Sequence, residues 1–241
     1  MREEVLRTAM LLGEEAVTRL QNARVAVFGI GGVGGYVVEA LARAGVGAID
    51  LIDNDDVSLS NINRQILATH STVGMAKVDA GKHRILDINP DCRVTCHQLF
   101  FNAETAHQFD FTQYDYIVDA IDLVSCKLDL IEQAQQRGIP ILSALGTGNK
   151  LDASLLQVSD ISKTSGCPLA RVMRKELRER GIRHLKVVFS PEQPAETTQL
   201  ETPPPGRRSV PASVAWVPSC AGLMMAGTVV QDLIEERSAQ V

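Results

Sequence analysis

The chain has 241 residues, of which 45% are hydrophobic and 22% charged, and its formal net charge at pH 7 is −5. This composition is typical of a globular protein with a substantial core, and it excludes an intrinsically disordered chain. The acidic balance also excludes a protein that coats nucleic acid through bulk positive charge, although it leaves room for a local basic patch.

The first 150 residues alternate between short apolar runs and stretches of helical composition. Strands are predicted at residues 24–28, 48–52, 93–98, 115–120 and 139–145, and helices at 33–44, 75–88 and 126–137. Strands separated by helices of this length indicate βαβ units with right-handed crossovers and a parallel sheet. We therefore predict an α/β fold: a doubly wound, Rossmann-like, mainly parallel sheet with helices on both faces, preceded by an N-terminal helical segment.

Residues 151–241 are expected to form a C-terminal extension packed on the same domain. It is predicted to contain a helix at 170–180, a strand at 185–189, a mobile Pro-rich loop at about 192–211 that includes Pro203, Pro204 and Pro205, a strand at 213–217 and a closing helix at 221–236. The polar loop cannot build a core of its own.

A glycine-rich turn follows the first predicted strand and opens the first predicted helix. Its sequence is Gly29-Ile30-Gly31-Gly32-Val33-Gly34, and Asp53 ends the second strand. Glycines let the backbone approach a phosphate, the helix N-terminus favours an anion, and an acidic group after the second strand can accept from ribose hydroxyls. This arrangement predicts a nucleotide site. A packing turn without a ligand, or a nicotinamide dinucleotide site, is the alternative.

Polar and basic residues after the second strand favour ATP over a nicotinamide dinucleotide. Arginine and lysine neutralise the charge that an adenylation reaction spreads over the phosphates, and a carboxylate at the same sheet edge can hold Mg²⁺. Asp55 is either part of the ribose or metal site or a turn residue. The residues concerned are Asn61, Arg64, Gln65, Lys77 and Asp122.

Together these segments resemble the E1-like adenylating superfamily, which includes the ThiF, MoeB and HesA proteins. The resemblance rests on the glycine turn, Asp53-Asn54-Asp55-Asp56-Val57, Asn61-Ile62-Asn63-Arg64-Gln65, Lys77 and Asp119-Ala120-Ile121-Asp122. It implies that Asp53 holds the ribose, that Arg64 and Lys77 contact phosphates oriented by Asn61 and Gln65, and that Asp122 binds Mg²⁺. It also implies a homodimer in which an arginine near the N-terminus, Arg7 or else Arg2, reaches the partner's site.

Two further segments resemble the tRNA threonylcarbamoyladenosine dehydratase branch of that superfamily. They are residues 163–178 and 217–222, and Cys167 stands where an acidic residue is expected. The chain lacks the Cys-x-x-Cys pairs of many sulfur-carrier activators. The resemblance implies adenylation of the threonyl carboxylate of a modified tRNA adenosine, followed by intramolecular ring closure with net loss of water. A sulfur-trafficking protein is a possible further partner.

A local basic patch supplies an independent reason to expect RNA. From Arg171 to Lys186 the chain carries seven Lys or Arg residues and two Glu residues. Arg171, Arg174, Lys175 and Arg178 share one helical face, which predicts a tRNA-binding surface, with a solvated helix face as the alternative. We expect tRNA binding to weaken with salt and substitutions at Arg174 and Arg178 to flatten that dependence. Arg207 and Arg208 add a basic pair in the loop.

The start of the chain shows no signal peptide, and five cysteines suit a reducing compartment, so we expect a cytoplasmic protein. Pro218 interrupts the most apolar late stretch, so no membrane association is expected. Cys220 precedes the last predicted helix and is a possible nucleophile, although a small buried cysteine is the commoner case. Two other functions stay open: adenylation of a small sulfur-carrier protein, and an NAD(P)-dependent oxidoreductase. A non-catalytic tRNA-binding scaffold is disfavoured by the phosphate-binding residues.

Overall fold

One sheet organises the protein, which a computed structural model describes at residues 2–202 and 210–235. Within those residues its strands are β1 (Arg24–Phe28), β2 (Ala48–Ile52), β3 (Arg93–His97), β4 (Tyr116–Asp119), β5 (Ile141–Ala144), β6 (Gln157–Asp160) and β7 (Lys186–Phe189). Their order is β3-β2-β1-β4-β5-β7-β6, and every neighbouring pair is parallel except β6 with β7. The predicted doubly wound, mainly parallel fold is confirmed.

Helices cover both faces of this sheet. They are α1 (Leu6–Leu12), α2 (Glu14–Asn22), α3 (Gly34–Ala44), α4 (Lys77–Ile88), α5 (Val124–Gln136), α6 (Pro168–Glu179) and α7 (Trp216–Ile234). Short 3₁₀ turns lie at Glu3–Val5, Leu59–Asn61, Ala106–Gln108, Phe111–Gln113, Ala153–Leu155 and Ile161–Lys163. Residues of α3, α4 and α7 pack into one core, and residues of α5 and α6 pack into the other.

The composition of β1 explains why it lies in the middle of the sheet. Val25 and Val27 are buried in the core under α3 and α7, whereas Ala26 and Phe28 are buried in the core under α5 and α6. A strand that is covered on both faces buries the side chains of both, so its sequence is a continuous apolar run and does not alternate between apolar and polar residues. Its neighbours are β2 on one side and β4 on the other.

The strand order reverses between β1 and β4. From β1 the chain proceeds outwards through β2 to β3, and then returns to place β4 and β5 on the opposite side of β1. Open α/β sheets bind ligands outside the carboxyl ends of the strands at such a reversal. The glycine turn after β1 and residues 120–122 after β4 therefore meet at the edge where a ligand is expected.

The C-terminal extension differs from the prediction in two places. No strand forms at 213–217: residues 213–215 have no regular structure, and α7 begins at Trp216. Pro218 lies in the first helical turn, where its missing N–H removes no intrahelical bond, so the apolar Val217 belongs to a helix. Conversely, the short polar strand β6 was not predicted, because as an edge strand it lacks an apolar pattern. The predicted residues 203–209, with Arg207 and Arg208, and Glu236 lie outside the described residues.

The extension is joined to the rest of the chain by main-chain and side-chain contacts. β7 pairs with β5, and α7 packs against α3. A boundary at residue 150 stays a prediction. With a mean hydropathy of 1.3, α7 is long and apolar enough to count as a candidate membrane span, a test that core helices of soluble proteins also pass. Val217, Ala221, Met225 and Val229 of this helix are buried in the protein.

A buried carboxylate in the sheet makes stability depend on pH. Asp50 accepts from Arg24 Nε and Nη2, both at 2.9 Å, and from Tyr114 Oη at 3.2 Å, and it lies 3.3 Å from His97 Nε2. Burial alone would raise the pKa of Asp50, but the hydrogen bonds from His97 and Arg24 outweigh burial and lower it. The carboxylate therefore stabilises the fold above its unfolded pKa of about 4, and this contribution is lost as pH falls through the lower folded value.

We expect Asp50→Asn to lower the free energy of unfolding by about 3 kcal/mol at pH 7, because it leaves the buried end of Arg24 without its charge partner. The difference from wild type should shrink when urea unfolding is repeated below pH 4. Asp87→Asn, at an exposed position of α4, is the control and should leave both curves unchanged. If Asp50→Asn lowered the free energy of unfolding equally at both pH values, the stabilising role given to the Asp50 charge would be contradicted.

Candidate active site

A cleft of about 500 Å³ opens at the carboxyl edge of the sheet, where the strand order reverses. Its walls come from the loops after β1, β2, β4 and β5, from residues 61–65 and from residues near the start of α7. Ten of the predicted site residues line it: Gly29, Gly31, Gly32, Asp53, Asp55, Asn61, Arg64, Gln65, Lys77 and Asp122. Residues more than 90 positions apart in the sequence thus converge on one space, whereas Gly34 and Arg7 do not line it.

The four glycines of the turn have two different roles. Gly29 has a φ of +81°, and a Cβ there would lie 2.7 Å from the Ala120 oxygen; a Cβ on Gly34 would lie 1.8 Å from the Gly29 oxygen. These two glycines are required by the packing of the chain itself. At Gly31 and Gly32, a Cβ would meet no atom closer than 3.6 and 3.4 Å. Gly31 and Gly32 face the cleft, and a Cβ at either position would not clash with the protein. Their lack of a side chain therefore leaves the backbone at the cleft floor accessible to a ligand.

Asp53 is held in place by backbone N–H groups of the glycine turn and of its own loop. Its Oδ2 accepts from Ile30 N and its Oδ1 from Asp55 N, each at 2.9 Å. Burial raises the pKa of Asp53, against the opposing effect of the Lys77 ammonium. A carboxylate offers about four lone-pair sites, so after these two bonds it can still accept from a pair of vicinal hydroxyls.

Lys77 is a buried cation at the first position of α4. It is 5% exposed, and its Nζ lies 2.7 Å from Asp55 Oδ2 and 3.8 Å from Asp53 Oδ1. Burying an ammonium is favourable only when anions surround it. The two aspartates supply that charge, and the cleft side of the ammonium is available to a further anion.

Residues 58–65 form a compact turn that presents three polar side chains. Ser58 and Asn61 form a reciprocal capping box, and Arg64 Nη1 donates to Ser60 O at 3.0 Å and to Asn63 Oδ1 at 2.8 Å. The Oε1 of Gln65 is buried without a hydrogen-bond partner, the single side-chain atom in that condition within the described residues. A buried polar atom without a hydrogen bond is costly. It is therefore a position at which a bound ligand would restore the missing bond.

The loop that carries Asp122 rests on a buried ion pair that the sequence reading missed. Asp119 Oδ2 accepts from Lys127 Nζ at 2.9 Å and from Ser143 Oγ at 2.5 Å, while its Oδ1 accepts from Ile121 N at 3.1 Å. Asp119 and Lys127 are both buried to 99% or more. The bond to Ile121 N fixes the backbone of residues 120–122, which places Asp122 in the cleft wall. One signal was available: Lys127 shares a face of α5 with the apolar Ile131 and Ala134.

The predicted basic face of α6 borders a second, shallow depression of about 370 Å³. Arg171, Lys175 and Arg178 are exposed there, with Lys175 Nζ 3.8 Å from Glu179. Arg174 differs, because it is half-buried and its Nη1 donates to the backbone oxygen of Thr164 at 2.8 Å. It therefore helps to hold the segment before α6, whereas the other three residues are available to a phosphate backbone. Leu169, at the start of the same helix, lines the main cleft.

Arg7 lies at the end of the molecule opposite to the cleft. It is exposed on α1, and nearby Val5 packs against Gly45 at the C-terminal end of α3. The 11 residues of α3 separate that end from the glycine turn by about 16 Å. Arg7 therefore cannot act in the cleft of its own chain.

The cysteines contribute no chemistry to the cleft wall. All five are free; Cys220 is exposed on α7, where it does not line the cleft, so the expectation of a buried thiol there is wrong. Cys167 is buried and accepts from Ala170 N at 3.5 Å as the N-cap of α6.

Across residues 2–202 and 210–235, no group of three or more His, Cys, Asp or Glu side chains could hold a metal ion.

Comparison with known families agrees with this geometry. The model of the ThiF family matches residues 5–240. The chain belongs to the ThiF family. This confirms the resemblance to E1-like proteins that the motifs had indicated.

Several relatives match the ThiF-family chain over nearly its whole length. A tRNA threonylcarbamoyladenosine dehydratase of Bacillus subtilis is 43% identical over 98% of this chain and 96% of the relative. The crystal structure of Escherichia coli tRNA N6-threonylcarbamoyladenosine dehydratase, TcdA, in complex with ATP has 35% identity and a TM-score of 0.88, covering 100% of this chain and 97% of that one. The same E. coli protein in complex with AMP gives a TM-score of 0.84 at 35% identity over 95% and 92% of the two chains.

Proposed function

We propose that this chain is an ATP-dependent tRNA threonylcarbamoyladenosine dehydratase. It adenylates the threonyl carboxylate of N6-threonylcarbamoyladenosine in tRNA, and a nitrogen of the carbamoyl linkage then closes a ring. The convergence of ten predicted residues on one cleft carries this proposal. The names of the full-length relatives and the ATP and AMP complexes of the E. coli protein support it.

The reaction balances without an added redox partner. The carboxylate oxygen attacks the α-phosphorus of ATP, and pyrophosphate leaves with the electron pair of the broken P–O bond. The carbamoyl nitrogen then attacks the acyl carbon, loses its proton and expels AMP, which carries away the carboxylate oxygen. The nucleophile belongs to the same nucleoside as the carbonyl, so ring closure benefits from a high effective concentration.

The cleft residues divide this work by their chemistry. Asp53 accepts from the ribose hydroxyls, and the bare backbone at Gly31 and Gly32 lets the phosphates approach. Lys77 and Arg64 neutralise the charge that develops on the α-phosphate and the leaving pyrophosphate, which is the type of stabilisation that contributes most to such reactions. Asn61 and Gln65 hold the phosphate oxygens by donating from their side-chain amide nitrogens.

Mg²⁺ is proposed as a cofactor carried by the nucleotide. Magnesium sites in nucleotide enzymes commonly use one or two carboxylates together with substrate phosphates, and they keep several waters. Asp122, exposed in the cleft wall, fits such a site, in which the nucleotide phosphates and water would supply the remaining ligands. When bound, the ion would offset charge on the phosphate oxygens.

We also propose a homodimer with composite sites, which the position of Arg7 supports. Because Arg7 cannot reach its own cleft, it would act in the cleft of a second copy. Exposed apolar residues on α1 and α7 supply a surface for that contact: Leu6, Met10 and Leu11 on α1, and Trp216 and Leu223 on α7. Gly227, on the same face of α7, has open space above it and permits close approach of a second helix. A cytoplasmic location, the absence of membrane association and a sulfur-trafficking partner stay predictions.

The three exposed basic residues of α6 are proposed to bind tRNA phosphates. Because α6 starts at the cleft wall, RNA lying along it leads directly to the reacting nucleoside. We expect the affinity for tRNA to fall steeply with salt, and Arg171→Ala/Arg178→Ala to reduce the slope of log K against log salt by about 1 to 2. Filter binding of tRNA between 50 and 300 mM KCl measures this slope. Arg43→Ala, at the far end of α3, is the control. An unchanged slope in the α6 variant would contradict the assignment of this helix face to tRNA binding.

Incubation with ATP, Mg²⁺ and tRNA bearing the threonylcarbamoyl group tests the function itself. Nucleosides from the digested tRNA should show the loss of one water, with AMP and pyrophosphate released in equal amounts. Pyrophosphate release that depends on a small sulfur-carrier protein, and not on tRNA, would favour the neighbouring adenylating activity. Binding of NAD(H) that is indifferent to Arg64→Ala and Lys77→Ala would favour the oxidoreductase.

A further inference from the structure

The cleft has two halves that differ in which strands support them. On the side of β2 and β3 its wall consists of Asp53, Asp55 and residues 99–101. On the side of β5 and β7 it consists of residues 144–148, Leu169 at the start of α6, and Val210, Pro211 and Ser213. We call residues 210–213 the rim segment. The glycine turn and Asp122 lie between the halves. With its ribose on Asp53, an ATP would lie in the first half and leave the second half open.

Asn149 is the residue that fixes the rim segment on one side. Its backbone N donates to Ala212 O at 2.8 Å, and its side-chain Oδ1 accepts from Ala212 N at 2.7 Å. It also has a φ of +57°, and within the described residues no other non-glycine residue has a positive φ. Asparagine tolerates that conformation better than most residues, at some cost in strain. The strained backbone is what aims both of its polar groups at Ala212.

Several hydrogen bonds hold the backbone around Asn149. Lys150 is 2% exposed and donates to the backbone oxygen of Glu192. The Glu192 carboxylate accepts from Leu151 N at 2.9 Å and from Asp152 N at 3.2 Å. Asn149 O also accepts from Ala195 N at 2.8 Å. Residues 149–152 are therefore tied by hydrogen bonds to residues 192–195, at the start of the loop predicted to be mobile, and the rim segment is attached to them through Asn149.

Asn63 fixes the rim segment on the opposite side and connects it to the phosphate-binding residues. Its Nδ2 donates to Ser213 O at 3.0 Å, and its Oδ1 accepts from Arg64 Nη1 at 2.8 Å. A single amide thus orients the guanidinium that we assign to phosphate and holds the wall of the open half. Asn63 belongs to the motif Asn61-Ile62-Asn63-Arg64-Gln65, in which the sequence reading gave it no role.

We propose that the rim segment is the acceptor wall of the cleft, and that Asn149 and Asn63 are positioning residues for the carboxylate-bearing nucleoside of the RNA. This rests on the proposed function. The open half adjoins both the ATP phosphates and the start of the basic helix α6, so it is where an RNA-borne carboxylate can meet the α-phosphate. Asn149 acts on the RNA nucleoside alone, whereas Asn63 acts on the nucleoside and, through Arg64, on the phosphates.

Substitutions at Asn149 and at Asn63 are expected to change the kinetic constants in different ways. Asn149→Gly keeps the positive φ but removes Oδ1, so it should raise KM for the modified tRNA about fivefold, the effect of one hydrogen bond, with little change in KM for ATP. Asn149→Asp keeps the acceptor oxygen and should restore KM for the RNA to within about twofold. Asn63→Ala should raise the same KM and also lower kcat about tenfold, because Arg64 keeps Ser60 O but loses the side-chain acceptor that orients its guanidinium.

Steady-state conversion of threonylcarbamoyl-bearing tRNA, with calorimetric titration of ATP into each variant, tests the assignment. Asn22→Ala, an exposed asparagine on α2 that bonds only its own helix among the described contacts, is the matched control and should behave as wild type. Wild-type KM for RNA in Asn149→Gly, or an equal rise in KM for RNA and for ATP, overturns the inference while the proposed function stands. A wild-type chain that leaves the modified nucleoside unchanged overturns the proposed function and this inference with it.

Discussion

Lys77→Met is expected to lower the rate of pyrophosphate release from ATP by about 10³-fold, in the range found when one preorganised charge is removed from a transition state. The ammonium is buried within 3.8 Å of two carboxylates, Asp53 and Asp55, that hold it at the cleft wall. Methionine fills the same space without the charge. Because the charge on the phosphates grows during the reaction, kcat should fall much more than the affinity for ATP.

The measurement is tRNA-dependent pyrophosphate release at saturating ATP, with ATP affinity determined separately. Lys82→Met changes an exposed lysine of the same helix and should retain full activity. Urea unfolding of both variants distinguishes a lost catalytic group from a lost fold. A Lys77→Met protein that folds, binds ATP and releases pyrophosphate at the wild-type rate would remove the basis for assigning the cleft to adenylation.

The sequence was sufficient for the parts of the site that depend on local pattern. The glycine turn, Asp53 and the motif that contains Arg64 each follow a strand, and parallel strands bring their carboxyl ends to one edge. Their convergence could therefore be predicted without coordinates. The same reasoning placed Arg171 and Arg178 on one helix face, because helical spacing alone decides that.

The remaining features depend on contacts between distant segments. Nothing local distinguishes Asn149 from any other loop asparagine, since its role comes from Ala212, 63 residues further along the chain. Arg174 has the spacing of its basic neighbours, but Thr164 holds it. Strand β6 forms only because β7 offers a free edge to a polar segment. Apolar residues at 213–217 suggested a strand, but a helix that includes Trp216 and Val217 forms there, because Pro218 is tolerated in a first helical turn.

Lys127→Met is expected to cost about 3–5 kcal/mol of unfolding free energy, the usual effect of leaving one member of a buried ion pair without its partner. The Asp119 carboxylate, completely buried, would retain Ser143 Oγ and Ile121 N but lose its countercharge. Urea unfolding measures the loss. Lys163→Met, at an exposed position, should change stability by less than about 0.5 kcal/mol.

The double variant Lys127→Met/Asp119→Asn separates the charge from the packing. Removing the carboxylate as well abolishes the uncompensated charge, so the double variant should be more stable than Lys127→Met alone. The amide replaces Oδ2, which accepts from Lys127 and Ser143 and so orients the side chain, and leaves Oδ1 alone to hold Ile121 N and the backbone that carries Asp122. The double variant should therefore still lose part of its activity. Recovery of stability without recovery of activity would show that the Asp119–Lys127 ion pair positions the cleft wall. A double variant no more stable than the single one would mean that packing of the lysine stem, and not its charge, holds this part of the fold.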